Sequence, residues 1–133
     1  MKPHTALESQ SQKLVIELPG EPRGKQRPRF VIGNKNRPHV YTPPETVKYE
    51  RDLGWMAKAV MGGRPPLEGP LRVSITAVIS HARRFKVDAD NIGKIALDAL
   101  NGIVFNDDRQ VLDLRVRKMF DRDAKLRIEI ESL

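Results

Sequence analysis

One short segment of this chain combines two carboxylates, an amide and a lysine. Asp88 and Asp90 lie two residues apart and are followed by Asn91 and Lys94. At the start of a helix, two carboxylates with this spacing can converge on one cation, and the helix N-terminus tolerates their charge. Mg²⁺ takes oxygen ligands, typically one or two carboxylates completed by water and substrate phosphate. The pattern favours a Mg²⁺ site, while helix capping by either aspartate and a Lys94–Asp98 ion pair are the structural alternatives.

A second acidic pair, Asp107 and Asp108, follows the same helix, where it supplies either a third carboxylate or an ordinary turn. The chain has 24 Lys and Arg against 17 Asp and Glu, a net charge of +7, which favours a polyanionic partner, nucleic acid before anionic membrane. The basic residues expected to contact DNA phosphates are Lys25, Arg27, Arg29, Arg83, Arg84 and Lys86. Clustered carboxylates within a basic surface are the pattern expected of a metal-dependent nuclease, and a basic binding protein with solvated acids is the alternative.

The composition excludes several other classes. There is no cysteine, so disulfide scaffolds, thiol nucleophiles and cysteine zinc sites are excluded, and a reducing cytoplasm is the expected location. No apolar stretch approaches the roughly 18–20 residues that span a bilayer, and the polar N-terminus lacks the apolar core of a signal peptide. The residues from Asp88 to Gly93 mimic the opening of an EF-hand loop, but its twelfth position is Ala99 instead of Glu.

The elements that position these residues fit one domain, because 133 residues leave little room for two. Residues 1–12 are predicted to be a flexible segment, and residues 13–133 to form the domain. Strands are predicted at 13–18, 29–32, 39–41, 70–80, 111–120 and 126–130, with the basic loop 19–40 between the first strand and the first helix. That helix is predicted to start near Thr42 as its N-cap and to end at Gly62. The order β–loop–α–β–α–β–β predicts an α+β fold with a small mixed sheet and two main helices.

The second helix has the clearest periodicity in the sequence. Apolar residues at three- and four-residue spacing predict one buried face, formed by Ile92, Ile95, Ala96, Ala99, Leu100 and Ile103. Polar residues one turn apart, among them Asp90 and Lys94, lie on another side. In the strand that follows, alternation predicts Val111 and Asp113 on one face, with Leu112 and Leu114 on the other.

Taken together, these motifs resemble the RusA family of Holliday-junction resolvases, which is common on phages and prophages. The resemblance is carried by residues 88–103, which read DADNIGKIALDALNGI, then by residues 106–111 (NDDRQV) and by Lys118. Residues 22–30 and the segment from Tyr41 to Glu50 are similar to the phage branch of that family. The likeness extends over residues 14–131, nearly the whole chain.

The resemblance implies a homodimeric, Mg²⁺-dependent endonuclease, with Mn²⁺ as a substitute, that nicks four-way DNA junctions symmetrically in recombination and repair. It implies metal-binding acids at Asp88, Asp90 and Asp108, a catalytic lysine at Lys94, and supporting roles for Asn91 and Asp107. Two alternatives stay open on the residues alone. One is a non-catalytic basic nucleic-acid-binding module, and the other is a Mg²⁺-dependent nuclease that acts on flaps or RNA.

Overall fold

The computed structural model describes residues 13–25, 29–32, 38–41, 43–83 and 86–133. The predicted flexible segment 1–12 and the predicted N-cap Thr42 lie outside these residues. The strands are β1 (Lys13–Pro19), β2 (Arg29–Ile32), β3 (Pro38–Tyr41), β4 (Leu71–Ile79), β5 (Val111–Phe120) and β6 (Lys125–Ser132). The helices are α1 (Pro44–Met61) and α2 (Ala89–Leu100), with single 3₁₀ turns at His81–Arg83 and Asp108–Gln110.

Four of the strands form one mixed sheet in the order β1-β6-β4-β5. The pairs β1–β6 and β6–β4 are antiparallel, whereas β4 and β5 are parallel and are connected through α2. The strands β2 and β3 form a separate antiparallel hairpin. This architecture confirms the predicted α+β fold with a small mixed sheet and two main helices.

The core lies between one face of the sheet and the two helices. Along β4 every second residue is buried, from Leu71 to Ile79, because alternate side chains of a strand point to opposite faces. The buried face of α2 consists of Ile92, Gly93, Ile95, Ala96, Ala99 and Leu100. Gly93 brings α2 close to β5, since a Cβ there would lie 3.4 Å from Cγ2 of Val116. The start of α2 is thereby fixed over the sheet.

The opposite face of the sheet is covered by ion pairs between neighbouring strands. Arg72 Nε lies 2.8 Å from Asp113 Oδ2, and Arg127 Nη1 lies 2.9 Å from Glu17 Oε2. The hydrogen bond from the Arg127 guanidinium, together with the charge of Lys125, lowers the pKa of the Glu17 carboxyl. Such exposed ion pairs contribute little to the stability of a fold. They do neutralise many of the charged side chains on this face of the sheet.

Three local predictions were wrong or incomplete. The predicted faces of Val111 and Leu112 are exchanged by a bulge, because Leu71 pairs with Val111 whereas Arg72 pairs with Asp113. Val111 consequently packs against the core, and Leu112 is 70% exposed.

The helix ends also differ in detail from the predictions. Pro43 occupies the N-cap position of α1, and the helix ends as predicted at Gly62, whose φ of 58° is left-handed. Ile103 was predicted on the helical stripe of α2 but lies beyond its last residue, Leu100, while still packing against the core. Neither helix in the described ranges is long and apolar enough to cross a membrane.

Candidate active site

Asp88 stands at the N-cap position of α2. Its φ of −86° and ψ of 139° are extended, and its side chain makes no capping hydrogen bond. The carboxylate instead accepts a hydrogen bond from Asn91 Nδ2, with 3.3 Å between the nitrogen and Oδ2. The Asp88 side chain therefore does not cap the helix, and Asn91 contacts its carboxylate. The supporting role that the resemblance implies for Asn91 stays a prediction.

Asp90 and Lys94 are both exposed and lie one helical turn apart on α2. Neither makes an ion pair with any residue that the structure describes. The alternative of a Lys94–Asp98 pair is not what the structure contains, because Asp98 Oδ2 lies 3.2 Å from Lys25 Nζ. Among the described residues, the Lys94 ammonium therefore forms no ion pair, and it lies one helical turn from Asp90.

Lys118 is a positioning residue that the residue patterns did not single out for a role. Register places it opposite Ala77 on the helix-facing side of the sheet. Its Nζ donates a hydrogen bond to the carbonyl oxygen of Val87 at 2.9 Å. Val87 is buried and directly precedes Asp88, so this contact ties the N-cap of α2 to β5. A lysine at a core-facing position of a strand is the sequence signal that could have found it.

The segment after β1 is fastened to the first turn of α2. The backbone N–H of Lys25 donates to the Asn91 carbonyl at 2.8 Å. Gly24 packs so tightly here that an added Cβ would lie 2.8 Å from Asn91 Cβ. Lys25 Nζ also lies 2.7 Å from Glu50 Oε1, and this hydrogen bond raises the pKa of the lysine. Its ammonium is thus shared by two carboxylates, which leaves less of its charge for DNA.

A small basic hollow lies beside Asp88. It has a volume of about 80 Å³ and its walls include Arg23, Arg83, Lys86 and Asn91. The Nε of Arg83 is buried and has no hydrogen-bond partner among the described residues. A guanidinium with an unpaired donor, next to further cations, forms a site that suits a phosphate group. Three of the predicted DNA-binding residues, Lys25, Arg83 and Lys86, therefore lie next to Asp88.

The other predicted DNA-binding residues are less informative. Arg27 and Arg84 lie outside the described residues. Arg29 begins β2, and its side chain also lies outside the description. Their role in contacting DNA stays a prediction.

Asp107 and Asp108 precede β5 and form the start of a 3₁₀ turn. Asp107 caps this turn, since its Oδ1 accepts from the backbone N–H of Arg109 at 2.9 Å. That hydrogen bond is the main reason that the pKa of Asp107 lies below its ordinary value. Gln110 completes a capping box, because its Oε1 accepts hydrogen bonds from the backbone N–H groups of Asn106 and Asp107. The Asp107 carboxylate therefore caps the turn. The neighbouring Asp108 is half-buried.

The acids before α2, Asp88 and Asp90, and the acids after it, Asp107 and Asp108, lie at opposite ends of this helix. In the parallel pair, Leu71 is level with Val111 and Ile79 with Phe120, so Asp108 is at the end where β5 begins. Asp88 follows the opposite end of β4. Between them α2 has 12 residues, about 18 Å at roughly 1.5 Å per residue. Within one chain, the structure does not bring Asp108 to Asp88 and Asp90.

The described residues accordingly contain no group of three or more His, Cys, Asp or Glu side chains arranged to hold a metal ion. The pair formed by Asp88 and Asp90 still has the chemistry that Mg²⁺ requires. Both are exposed oxygen donors without a cationic partner among the residues described, and one or two carboxylates are the usual protein share of a Mg²⁺ shell.

Comparison with known proteins agrees with this combination of fold and site. A family described as "Endodeoxyribonuclease RusA" matches residues 19–131, most of the chain. The chain therefore belongs to the RusA family of endodeoxyribonucleases. It is also similar to the "Uncharacterized protein YqaN" of Bacillus subtilis (strain 168), with 25% identity over 135 residues that cover 86% of this chain and 92% of YqaN.

Proposed function

We propose that this protein is a Mg²⁺-dependent endonuclease that resolves four-way DNA junctions by paired nicks in recombination and repair. The observation that carries the proposal is the arrangement at the start of α2. Asp88 and Asp90 present carboxylates there that have no cationic partner among the described residues, and Lys94 follows one turn later. Arg83 and Lys86 line the neighbouring hollow. Membership of an endodeoxyribonuclease family supports the assignment of this chemistry to DNA.

Each residue then has a defined task. Asp88 and Asp90 hold the cation, and Asn91 orients the Asp88 carboxylate through its amide. Bound Mg²⁺, or Mn²⁺ in its place, supplies a Lewis acid and an activated water for phosphodiester hydrolysis. Lys94 neutralises charge that develops on the phosphate in the transition state. In this role Lys94 acts as a cation and not as a base.

The basic hollow holds the DNA backbone. Arg83 and Lys86 contact backbone phosphates next to the cut, and such contacts position a duplex without reading its sequence. The protein works in the cytoplasm, where the DNA substrate is found.

The active unit is a homodimer in which two chains complete each site. Asp108 lies about one helix length from Asp88 in its own chain, as the 12-residue α2 separates them. If Asp108 is a metal-binding acid, its partners are Asp88 and Asp90 of a second copy. Two sites related by a two-fold axis also match the symmetry of a four-way junction, in which the paired nicks fall on two symmetry-related strands.

The test is incubation of the protein with a synthetic four-way junction, a linear duplex of the same sequence and a single strand. Each substrate is assayed with Mg²⁺, Mn²⁺, Ca²⁺ or EDTA. We expect nicks in the junction with Mg²⁺ or Mn²⁺, and none with EDTA. An Asp90→Asn variant should leave the junction uncut. Its matched control is Asp52→Asn, since Asp52 is an aspartate of α1 that pairs with Lys48. Binding without cutting under every condition would instead identify a non-catalytic DNA-binding module.

A further inference from the structure

The cleft between α1 and α2 takes no part in the proposed chemistry. It has a volume of about 440 Å³, which falls within the range of roughly 300–1,000 Å³ that is typical of ligand pockets. Its lining includes the buried residues Gly54 and Ala99 and the exposed residues Arg51, Trp55 and Lys58. The cleft therefore combines apolar surface with cationic side chains, which suits a flat and anionic ligand.

The apolar part of the cleft is unusually exposed. Trp55 is 61% exposed and Val47 is 51% exposed, whereas the face of α1 that packs on the core includes Tyr49 and Leu53. Lys58 Nζ lies 4.8 Å from the centroid of the indole ring, a cation–π contact that places a positive charge beside the aromatic surface. An indole that folding leaves exposed, next to a second exposed apolar residue, is typical of a binding surface.

The charges of the cleft favour an anionic ligand. Its two carboxylates, Glu50 and Asp98, lie 2.7 Å and 3.2 Å from Lys25 Nζ, so they share one ammonium. Arg51 and Lys58 form no ion pair with any residue that the structure describes. Both of these cations flank Trp55 on α1, one turn before it and one turn after it. Phosphate groups that pass over the indole would therefore meet a cation on either side.

We propose that this cleft binds one unpaired nucleotide of the DNA, with its base stacked on Trp55 and its phosphates at Arg51 and Lys58. Aromatic stacking combined with a basic groove is how proteins bind single-stranded nucleic acid without reading its sequence. A paired base inside a duplex is covered on both faces and cannot stack on a side chain. The inference rests on the proposed function, because it adds a subsite for the same substrate.

The cleft adjoins the candidate metal site through Lys25. This residue lines both the cleft and the basic hollow beside Asp88. From Asp90 to Asp98, α2 rises about 12 Å at roughly 1.5 Å per residue, which equals three to four nucleotides at about 3.4 Å for each nucleotide of a strand. A strand held at the acids would therefore reach Trp55 within about four nucleotides of the cut. At a four-way junction, bases that close to the crossing point lack a continuous stack, which makes them easier to unpair than bases within a duplex.

The fluorescence of Trp55 gives a direct test, because Trp55 is the only tryptophan of the chain. The protein is titrated in Ca²⁺ with a four-way junction, a single strand, a linear duplex, and a strand of the same length in which every nucleotide is abasic. We expect the junction and the single strand to quench the fluorescence, the duplex to quench it much less, and the abasic strand to leave it unchanged. Equal quenching by the abasic and the normal strand would refute stacking.

Affinity measurements on variants of Trp55 provide the second readout. Trp55→Ala should weaken binding of the junction about 5- to 100-fold, which is the contribution of one stacked base. Trp55→Tyr should retain most of the affinity, because tyrosine also stacks. Leu133→Ala is the matched control, since Leu133 is a 54% exposed apolar residue that pairs with Pro70 at the end of the sheet, and it should bind as the parent does.

The cations of the cleft have their own variant and control. Arg51→Gln should reduce the slope of log affinity for a single strand against log salt by roughly 0.7 for one lost phosphate contact. Lys13→Gln, which removes a lysine paired with Glu129 on β1, should leave the slope unchanged.

The outcomes separate this subsite from the proposed function. Cleavage by the parent together with parental junction affinity in Trp55→Ala would overturn the subsite and leave the nuclease standing. Quenching by the single strand with no nick in any substrate would keep the subsite and refute the nuclease. A Trp55→Ala variant that loses mass in light scattering but keeps its affinity for DNA would identify a contact between subunits and would also overturn the subsite.

Discussion

Replacement of Lys94 by alanine distinguishes a catalytic role of this lysine from a structural role. Lys94 is exposed on α2 and makes no ion pair with the described residues, while Asp98 is held by Lys25 at 3.2 Å. Alanine and lysine are both good helix formers, so Lys94→Ala should change the free energy of unfolding by less than about 0.5 kcal/mol. Any large decrease in activity then reflects weaker transition-state stabilisation and not a folding defect.

The expected magnitude is a fall of about 10²–10³ in the cleavage rate, which corresponds to roughly 2.7–4 kcal/mol for one electrostatic contact to developing charge. Single-turnover cleavage of an end-labelled four-way junction measures the rate, with enzyme in excess, and a gel-shift titration in Ca²⁺ measures the affinity, which should change little. Lys48→Ala is the control, since Lys48 is an exposed lysine of α1 bound to Asp52. Lys94→Arg should rescue the rate only in part, because the guanidinium differs in reach and shape. A Lys94→Ala rate within a few-fold of the parent would refute the catalytic role.

Three further predictions concern binding, electrostatics and pH. Asp90→Asn should abolish nicking while junction binding persists or tightens, because a carboxylate near the phosphates loses its charge; cleavage by this variant at the parental rate would show that the metal is held elsewhere. Combined Arg83→Gln and Lys86→Gln should weaken junction affinity and reduce the slope of log affinity against log salt by roughly 0.9 for each phosphate that the protein no longer neutralises, and an unchanged slope would place the DNA away from the hollow. The pKa of Asp107 is lowered from 3.8 by Arg109, so its carboxylate contributes stability above that value and loses it as the pH falls through the folded-state pKa; the difference in melting temperature between the parent and Asp107→Asn should shrink below about pH 3.8 and should not grow.

The elements of this fold were largely predictable from local patterns. Alternation from Leu71 to Ile79 and the apolar stripe of α2 are periodic signals that burial on one face produces directly. The bulge at the start of β5 was not predictable, because Val111 and Leu112 are both apolar and alternation alone does not show which one is the extra residue. The faces of these two residues depend on pairing with β4, which is a contact between distant segments.

The candidate site was predictable in its residues but less so in its assembly. Asp88, Asp90 and Lys94 fall within two turns, so their proximity follows from the helix itself. The partners of Lys25 are Glu50 and Asp98, which lie far away in sequence, and no local pattern indicates that they meet. Asp88 precedes α2 and Asp108 follows it, and a straight helix of that length separates its two ends instead of joining them. The sequence could therefore suggest three acids without showing that one chain keeps them apart.

The most direct test of the account is complementation between two inactive chains. One chain carries Asp88→Asn with Asp90→Asn, the other carries Asp108→Asn, and different affinity tags allow the mixed dimer to be purified. If Asp108 completes the site of the second copy, the mixed dimer contains one intact site and should nick one strand of a four-way junction in Mg²⁺, while both parent dimers stay inactive. A mixed dimer as inactive as its two parents would contradict a site shared between chains.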